Sequence, residues 1–194
     1  MAKTKKAELR EEVGKRVSAL SASEQVEKSA AACRRLLDLP ELQQAERIAL
    51  YATLLDEIDV WPVIRWLHER RRHVVLPRCL PRQRRLLCLE VTDLRELAPG
   101  TFHILEPRSG RVVSETDVDV VITPGRAFDL SGNRVGRGAG YYDRFFLTPG
   151  MRAFKCGVAF DCQIYPAVPH DENDVPVDAI VTESRLWRNH FPSA

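Results

Sequence analysis

The stretch "VDVVITPG", residues 118–125, decides the fold class. Val120, Val121 and Ile122 follow one another with no polar residue between them, and Pro124 ends the run. A continuous apolar run is typical of a strand buried on both faces of a parallel sheet, whereas a strand with one solvated face alternates apolar and polar residues. We therefore predict a buried parallel strand whose carboxyl end lies at Pro124.

Similar runs stand on both sides of this stretch and alternate with helical patterns. The other candidate strands are "RIALYA" (47–52), "HVVLP" (73–77), "LLCLEV" (86–91), "FKCGVAF" (154–160) and "DAIVTE" (178–183). Helical patterns follow from about Val60 and over residues 141–147. Strands that alternate with helices predict an α/β fold with a mostly parallel sheet.

Two further helices are predicted ahead of the first strand, within residues 5–38. The first has apolar residues three or four apart, at Leu9, Val13, Val17 and Leu20. The second begins at "SASE" (21–24), whose serine and glutamate fit a capping box. A chain of 194 residues suits one domain, so we expect a single domain over 1–194 with these helices packed on the α/β core.

The composition narrows the class of protein. Hydrophobic residues make up 44% and charged residues 29%, and the net charge is +2, which predicts no obligate polyanionic partner. No apolar run approaches the length of a membrane span, and the chain starts with a charged helix pattern that has no signal-peptide core. We expect a cytoplasmic protein without a membrane partner. The five scattered cysteines lack zinc-site spacing and are expected to be reduced thiols.

A glycine-rich stretch, "GNRVGRGAGYYDRFF" (132–146), follows the strand at 118–125. Three of its glycines can take positive φ, so that their N–H groups can surround an anion: Gly136, Gly138 and Gly140. Arg134 and Arg137 add forked donors suited to phosphate or carboxylate. At the carboxyl end of a parallel strand, this combination predicts a phosphate-bearing ligand. The alternative is a glycine-rich turn that only joins two elements.

Acidic residues offer metal ligands, although each also has a structural interpretation. Asp143 stands in the first turn of the predicted helix, where a carboxylate stabilises the helix dipole or binds Mg²⁺ together with phosphates. A loop at 170–178 supplies four more acids, namely Asp171, Glu172, Asp174 and Asp178. On spacing alone, this loop is better explained as a solvated surface.

Three other features allow a binding role. Glu57 in "DEID" (56–59) directly follows a predicted strand and can accept hydrogen bonds from a polar heterocycle. Lys6 and Arg10 are four residues apart on one helix face and can reach one anion together, unless they form a solvated basic face. Residues 65–85 contain eight arginines, which suggests the hypothesis of RNA binding. With no recognition motif beside them, we interpret these arginines as a solvated surface and predict no nucleic-acid partner.

The run "PGRAFDLSGNRVGRGAGYYDRF" (124–145), with "DEID" before it and "VPHDENDVPVDAIVTE" (168–183) after it, closely resembles the 5-formyltetrahydrofolate cyclo-ligase family, also called methenyltetrahydrofolate synthetase. The resemblance implies a monomeric, three-layer α/β enzyme of NagB/RpiA/CoA-transferase-like topology. It also implies ATP- and Mg²⁺-dependent closure of 5-formyltetrahydrofolate to 5,10-methenyltetrahydrofolate, with release of ADP and phosphate. The implied route is a phosphorylated formyl group that N10 of the folate attacks.

The resemblance also implies roles for individual residues. The implied ATP contacts are Lys6, Arg10, Arg134, Val135, Gly136, Arg137, Gly138, Ala139, Gly140, Tyr141 and Tyr142. The implied folate contacts are Ala52, Glu57, Arg137, Gly138, Ala139, Gly140 and Tyr141. Asp143 and Asp174 match the magnesium ligands, and the catalytic candidates are Arg137 and Tyr141.

The chain departs from the family pattern at two positions. Arg126 replaces an apolar residue, and it is expected either to contact the glutamate tail of the folate or to face solvent. Ala139 stands where some members have lysine and others glycine. Two alternative functions stay open: a paralogue of the cyclo-ligases with a different substrate, and a non-catalytic protein that binds nucleotide or RNA.

Overall fold

The structure, a computed structural model, describes residues 2–101 and 104–189. Its helices are α1 (Ala2–Ser18), α2 (Ala22–Leu37), α3 (Pro40–Gln44), α4 (Trp61–Glu69) and α5 (Tyr141–Phe146). Its strands are β1 (Arg47–Ala49), β2 (His73–Leu80), β3 (Arg85–Glu90), β4 (Leu97–Pro99), β5 (Leu105–Pro107), β6 (Val120–Pro124), β7 (Ala127–Asp129), β8 (Arg134–Val135), β9 (Phe154–Val158), β10 (Ile164–Tyr165), β11 (Ala179–Val181) and β12 (Leu186–Arg188).

Seven strands form the central sheet, in the order β12-β11-β9-β6-β1-β2-β3. The five inner strands are parallel to one another, while β3 and β12 pair antiparallel with β2 and β11 at the two edges. Only residues 81–84 join β2 to β3. This link is too short for the crossover that a parallel pair requires, so β3 turns back as a hairpin. The predicted α/β fold with a mostly parallel sheet is confirmed.

Helices cover both faces of this sheet. Successive residues of each strand point to opposite faces, so each strand contributes side chains to both helical layers. In β6, Val120 and Ile122 join the larger buried cluster, which includes residues of α1, α2, α3 and α4. Val121 lies between them and joins a second cluster with Phe145 and Phe146 of α5. The molecule is therefore a three-layer α/β structure. Within the described residues, no helix combines the length and the apolar character needed to cross a membrane.

The first two helices are separated by a short break at residues 19–21. The amide of Glu24 donates to the Ser21 hydroxyl at 3.2 Å, and the Glu24 carboxylate accepts from the Ser21 amide at 2.8 Å. This is the reciprocal capping box expected from "SASE", and it starts α2. Val13 and Val17 of α1 are buried in the larger cluster, so α1 packs on the core.

A second, smaller sheet separates β6 from the glycine-rich stretch. Strands β7 and β8 form an antiparallel pair, and β10 joins β7 in parallel. Asp129 is buried at their turn, where its carboxylate accepts from the amides of Ser131, Asn133 and Val168. The β7–β8 pair, which was not predicted from the sequence, therefore stands between the strand at 118–125 and the glycines. Strands of two or three residues are too short to leave a periodic pattern in the sequence.

Candidate active site

The glycine loop, which we define as residues 136–140, links β8 to α5. Gly138 has φ +104° and Gly140 has φ +66°, which are values that side chains disfavour. Gly136 does not have a positive φ in this structure. It is needed for space instead, because a Cβ atom there would lie 2.7 Å from Nη1 of Arg134.

Arg134 lies beneath this loop, with only 4% of its side chain exposed. Its Nη2 donates to Oδ1 of Asp143 at 3.0 Å, and its guanidinium carbon lies 5.5 Å from the ring centre of Tyr142. Its Nε is buried without a hydrogen-bond partner among residues 2–101 and 104–189. Arg134 therefore orients Asp143 in this structure, and its predicted contact with phosphate stays a prediction.

Arg137 extends from the glycine loop to the acidic turn, which we define as residues 54–57. Its Nε donates to Oε1 of Glu57 at 3.1 Å, and its Nη2 donates to Asp56. The amide of Leu54 donates to the other Glu57 oxygen at 3.1 Å. Burial raises the pKa of Glu57 above its ordinary value, although the charge of Arg137 acts in the opposite direction. The structure thus brings together Glu57 and Arg137, which the sequence separates by 80 residues.

Helix α1 closes the same edge of the sheet. Nε of Arg10 donates to the carbonyl oxygen of Gly136 at 2.7 Å. Nζ of Lys6 lies 2.7 Å from Asp171 and 2.5 Å from Asp174, both in the acidic loop at residues 170–178. Lys6 and Arg10 therefore bind different groups here, instead of one shared anion. Together they hold α1 against both the glycine loop and the acidic loop.

A family model for the 5-formyltetrahydrofolate cyclo-ligase family matches residues 2–183. The chain belongs to this cyclo-ligase family. Its match covers the glycine loop, the acidic turn, α1 and the acidic loop, which are the four segments that meet at the site. The family and the enzyme class expected from the motifs are confirmed at this level.

Individual relatives are similar in sequence to this cyclo-ligase family member over nearly the whole chain. The 5-formyltetrahydrofolate cyclo-ligase of Mus musculus is 30% identical over 186 residues, covering 90% of this chain and 92% of the mouse protein. That of Escherichia coli strain K12 is 32% identical over 179 residues, covering 90% and 98%. The solved structure of Aquifex aeolicus 5,10-methenyltetrahydrofolate synthetase matches with a TM-score of 0.86 at 33% identity, covering 97% of this chain and 95% of that one.

The two predicted magnesium ligands of this family member each carry a basic partner. Asp143 pairs with Arg134, and Asp174 pairs with Lys6. Among the described residues, no group of three or more histidine, cysteine or acidic side chains is arranged to hold a metal ion. Two carboxylates suit Mg²⁺ when substrate phosphates and water complete its oxygen ligands. The pair therefore fits the metal chemically, and the ligand set stays a prediction.

Several predicted contacts are covered by protein in this structure. Ala52 follows β1 and is 7% exposed, and Val135 is 1% exposed inside β8. Tyr141 and Tyr142 are half-buried at the start of α5 and pack against the second cluster, whereas Ala139 is exposed in the glycine loop. The structure tests none of these contacts.

Two arginines contact the site residues through pairings that were not predicted from the sequence. Arg144 of α5 donates from Nε to the carbonyl of Arg84 at 2.6 Å and from Nη2 to the carbonyl of Ala139, so it ties the glycine loop to the β2–β3 hairpin. Arg126 has only 10% of its side chain exposed and pairs with Asp56. Arg126 therefore does not face solvent, and the expectation that it would is wrong. Its partner is 70 residues away along the chain, and no local pattern indicates such a pair.

Several arginines of the segment at 65–85 contact other groups of the chain. The guanidinium of Arg70 lies 4.0 Å from the ring centre of Trp66, and Arg72 donates to the carbonyls of Leu42 and Gln43. Arg85 pairs with Glu115 at 2.9 Å. These contacts agree with the interpretation of the segment as protein surface, and the absence of a nucleic-acid partner stays a prediction.

Proposed function

We propose that this chain catalyses the ATP- and Mg²⁺-dependent cyclisation of 5-formyltetrahydrofolate to 5,10-methenyltetrahydrofolate, with release of ADP and phosphate. The observation that carries the proposal is the ion pair between Arg137 and Glu57. It joins the glycine loop, which suits phosphate, to a buried carboxylate, which suits the N–H groups of a pterin. Membership of the cyclo-ligase family supplies the substrate class.

The proposed reaction has two steps. The formyl oxygen attacks the γ-phosphorus of ATP, the bond from that phosphorus to the β-γ bridging oxygen breaks, and ADP leaves. N10 of the same folate then attacks the activated formyl carbon and loses its proton, and phosphate departs with the former formyl oxygen. Both steps need positioning and charge neutralisation more than a protein nucleophile. The chain fits this requirement, since its motifs include no nucleophile–base pair.

Each part of the site then has a defined task. The amide groups of the glycine loop and the guanidinium of Arg10 would bind the phosphates of ATP. Arg137 would hold the transferred phosphoryl group against the formyl oxygen, because it belongs to the glycine loop and its guanidinium reaches the acidic turn. Tyr141 begins α5 directly after the loop and stays a catalytic candidate. Asp143 and Asp174 would hold Mg²⁺, whose charge neutralises the β- and γ-phosphates when it is bound.

The decisive experiment is a spectrophotometric assay for methenyltetrahydrofolate with 5-formyltetrahydrofolate, ATP and Mg²⁺, together with an assay for phosphate release. We expect product formation and phosphate release in equal amounts, each dependent on both substrates. Phosphate release that requires a different folate would indicate the paralogue. Nucleotide binding without phosphate release would indicate the non-catalytic alternative.

The expected monomeric state and cytoplasmic location belong to the same proposal. All side chains that we place in the site come from one chain, so a monomer suffices for the reaction. Sedimentation of the purified protein tests the monomer. Cell fractionation tests the location, and a mitochondrial fraction is one possible outcome because the relative from Arabidopsis thaliana is a mitochondrial protein.

Glu57→Gln is expected to raise the KM for 5-formyltetrahydrofolate while leaving the KM for ATP nearly unchanged. A hydrogen bond to a charged group contributes about 1.5–3 kcal/mol, so the folate KM should rise roughly tenfold to a hundredfold. Glutamine keeps the size of the side chain and an oxygen for the Leu54 amide, which separates the loss of charge from loss of packing. A larger effect on ATP than on folate would contradict this placement of Glu57.

The same variant also changes how stability depends on pH. Because burial raises the folded-state pKa of Glu57, its contribution to stability is present below the ordinary glutamate pKa and is lost as pH rises through the folded-state value. The unfolding free energy of the wild type minus that of Glu57→Gln should therefore fall as the pH rises above the ordinary glutamate pKa. Urea unfolding across this range measures the difference, and a rise would contradict the raised pKa.

A further inference from the structure

Arg126 stands on a backbone that is fixed from two sides. Its amide donates to the carbonyl of Val135 at 2.7 Å, across the β7–β8 pair. Its carbonyl accepts from Nε2 of Gln163 at 3.0 Å, and the same Nε2 donates to the carbonyl of Gly125 at 2.9 Å. Gln163 is only 1% exposed, so this arrangement is protected from solvent. The start of the Arg126 side chain is therefore held firmly.

The Arg126 guanidinium is wedged between the acidic turn and α1. Nη1 pairs with Oδ2 of Asp56, and Nη2 lies 3.4 Å from the carbonyl oxygen of Arg10. Gly14 makes room for it, because a Cβ atom at that position would lie 3.0 Å from Nη2 of Arg126. One buried side chain thus contacts both the acidic turn and the helix that carries Lys6 and Arg10.

Asp56 extends this contact to the glycine loop. Its Oδ2 accepts from Arg126 and its Oδ1 accepts from Arg137, which also binds Glu57. Two guanidinium groups and two carboxylates therefore alternate in one chain of ion pairs, and their charges cancel. Burial acts to raise the pKa of Asp56, but the two guanidinium groups outweigh it and hold that pKa below its ordinary value.

We propose that Arg126 is a positioning residue for the cyclo-ligase reaction. Through Asp56 it fixes the orientation of Arg137, and through the carbonyl of Arg10 it fixes the distance of α1 from the acidic turn. The phosphate-binding and pterin-binding groups are then aligned before either substrate binds. The inference rests on the proposed function and adds to it a residue that touches neither substrate.

The geometry favours positioning over a purely structural role. When Arg126 is replaced, Asp56 keeps Arg137 as its partner, and with 37% of its side chain exposed it is also hydrated. The fold therefore loses little from such a change. The orientation of Arg137 becomes less fixed, because its partner Asp56 no longer accepts a hydrogen bond from Arg126. Misplacement of a reacting group by about 1 Å is enough to lower a rate a hundredfold.

The test compares Arg126→Met, which keeps the apolar stem, with Arg126→Lys, which keeps the charge. For Arg126→Met we expect kcat to fall about tenfold to a hundredfold, with both KM values within about threefold of wild type. Arg126→Lys should recover part of that loss. The matched control is Arg188→Met, which removes the ion pair between β12 and Glu41 of α3, and its kcat should equal that of wild type. A kcat for Arg126→Met within twofold of the wild-type value would overturn the proposal.

A double variant tests the route through Arg137. If Arg126 acts by orienting Arg137, adding Arg126→Met to Arg137→Ala should lower kcat no further than Arg137→Ala alone. Independent, multiplying losses would overturn this route. If Arg126→Met does not fold, Arg126→Lys in the same cycle gives the answer, since it retains a charge beside Asp56.

A measurement without substrate separates this inference from the proposed function. Backbone amide exchange over residues 8–14 and 54–58 should be faster in Arg126→Met than in wild type and unchanged in Arg188→Met. Equal exchange in all three proteins would overturn the positioning role. The wild-type assay alone judges the proposed function, since a chain that binds ATP but forms no methenyltetrahydrofolate refutes the function whatever the exchange data show.

Discussion

Asp143→Asn is expected to lose most of the cyclo-ligase activity and part of the free energy of unfolding. The activity falls because one of the two carboxylates proposed to hold Mg²⁺ is neutralised. The stability falls because Arg134, which is 4% exposed, then keeps a buried positive charge without a carboxylate partner. Removing one partner of a buried ion pair costs about 3–5 kcal/mol. The amide oxygen of the new side chain can still accept from Arg134, so we expect a cost of about 3 kcal/mol. Urea unfolding and kcat at several Mg²⁺ concentrations measure the two effects.

Asp174→Asn is the matched control for that variant. Its partner Lys6 also binds Asp171 at 2.7 Å, so the lysine charge stays compensated when Asp174 is neutralised. We expect a comparable loss of activity, partial rescue by high Mg²⁺ or by Mn²⁺, and little change in the free energy of unfolding. Full activity of Asp174→Asn at low Mg²⁺ would remove Asp174 from the metal site. A free energy of unfolding for Asp143→Asn equal to that of the wild type would show that the buried Arg134 does not need the negative charge of Asp143.

Arg137→Ala should be the most damaging single change among the arginines of the site. A charged hydrogen bond to phosphate contributes about 1.5–3 kcal/mol, so kcat/KM for ATP should fall at least tenfold and up to about a hundredfold. The change also removes the arginine partner of Glu57, whose side chain is only 8% exposed. The pKa of Glu57 should then rise further, and the KM for folate should rise with it, because the carboxylate loses its nearest positive charge.

Two variants make this result specific. Arg137→Lys keeps the charge but cannot span Asp56 and Glu57 with one fork, so it should recover binding of ATP better than kcat. Arg82→Ala removes an exposed arginine of the β2–β3 hairpin and should behave as wild type. If both the KM for ATP and kcat of Arg137→Ala stay within twofold of wild type, the glycine loop is not the phosphate site.

Local patterns were sufficient for the parts of this molecule that depend on neighbouring residues. The buried strand at 118–125, the capping box at 21–24 and the helix after the glycines were predicted because burial, capping and helix formation are each determined within a few residues. The antiparallel direction of β3 and the strands β7, β8 and β10 were missed. A short link and strands of two or three residues leave no periodic signal.

The partners of the charged residues were the larger omission. Arg134 and Arg137 look equivalent in the sequence, yet Arg134 is buried against Asp143 while Arg137 reaches Glu57 across 80 residues. Topology decides these pairings, because a side chain pairs with whatever charge the fold places beside it. The sequence therefore provided candidate residues for the site, but not which of them are already paired with one another.

The contact of α1 with the acidic loop has a consequence for how the protein is made. Lys6 and Asp171 are 165 residues apart, and ribosomes add roughly 5–20 residues per second, so about 8–33 s pass between the synthesis of the two. Throughout that time α1 has no acidic loop to bind, and its basic face is open to chaperones or to other chains. A nascent chain can form the glycine loop before it can anchor the helix over it. The site thus becomes complete only after residues 170–178 have been synthesised.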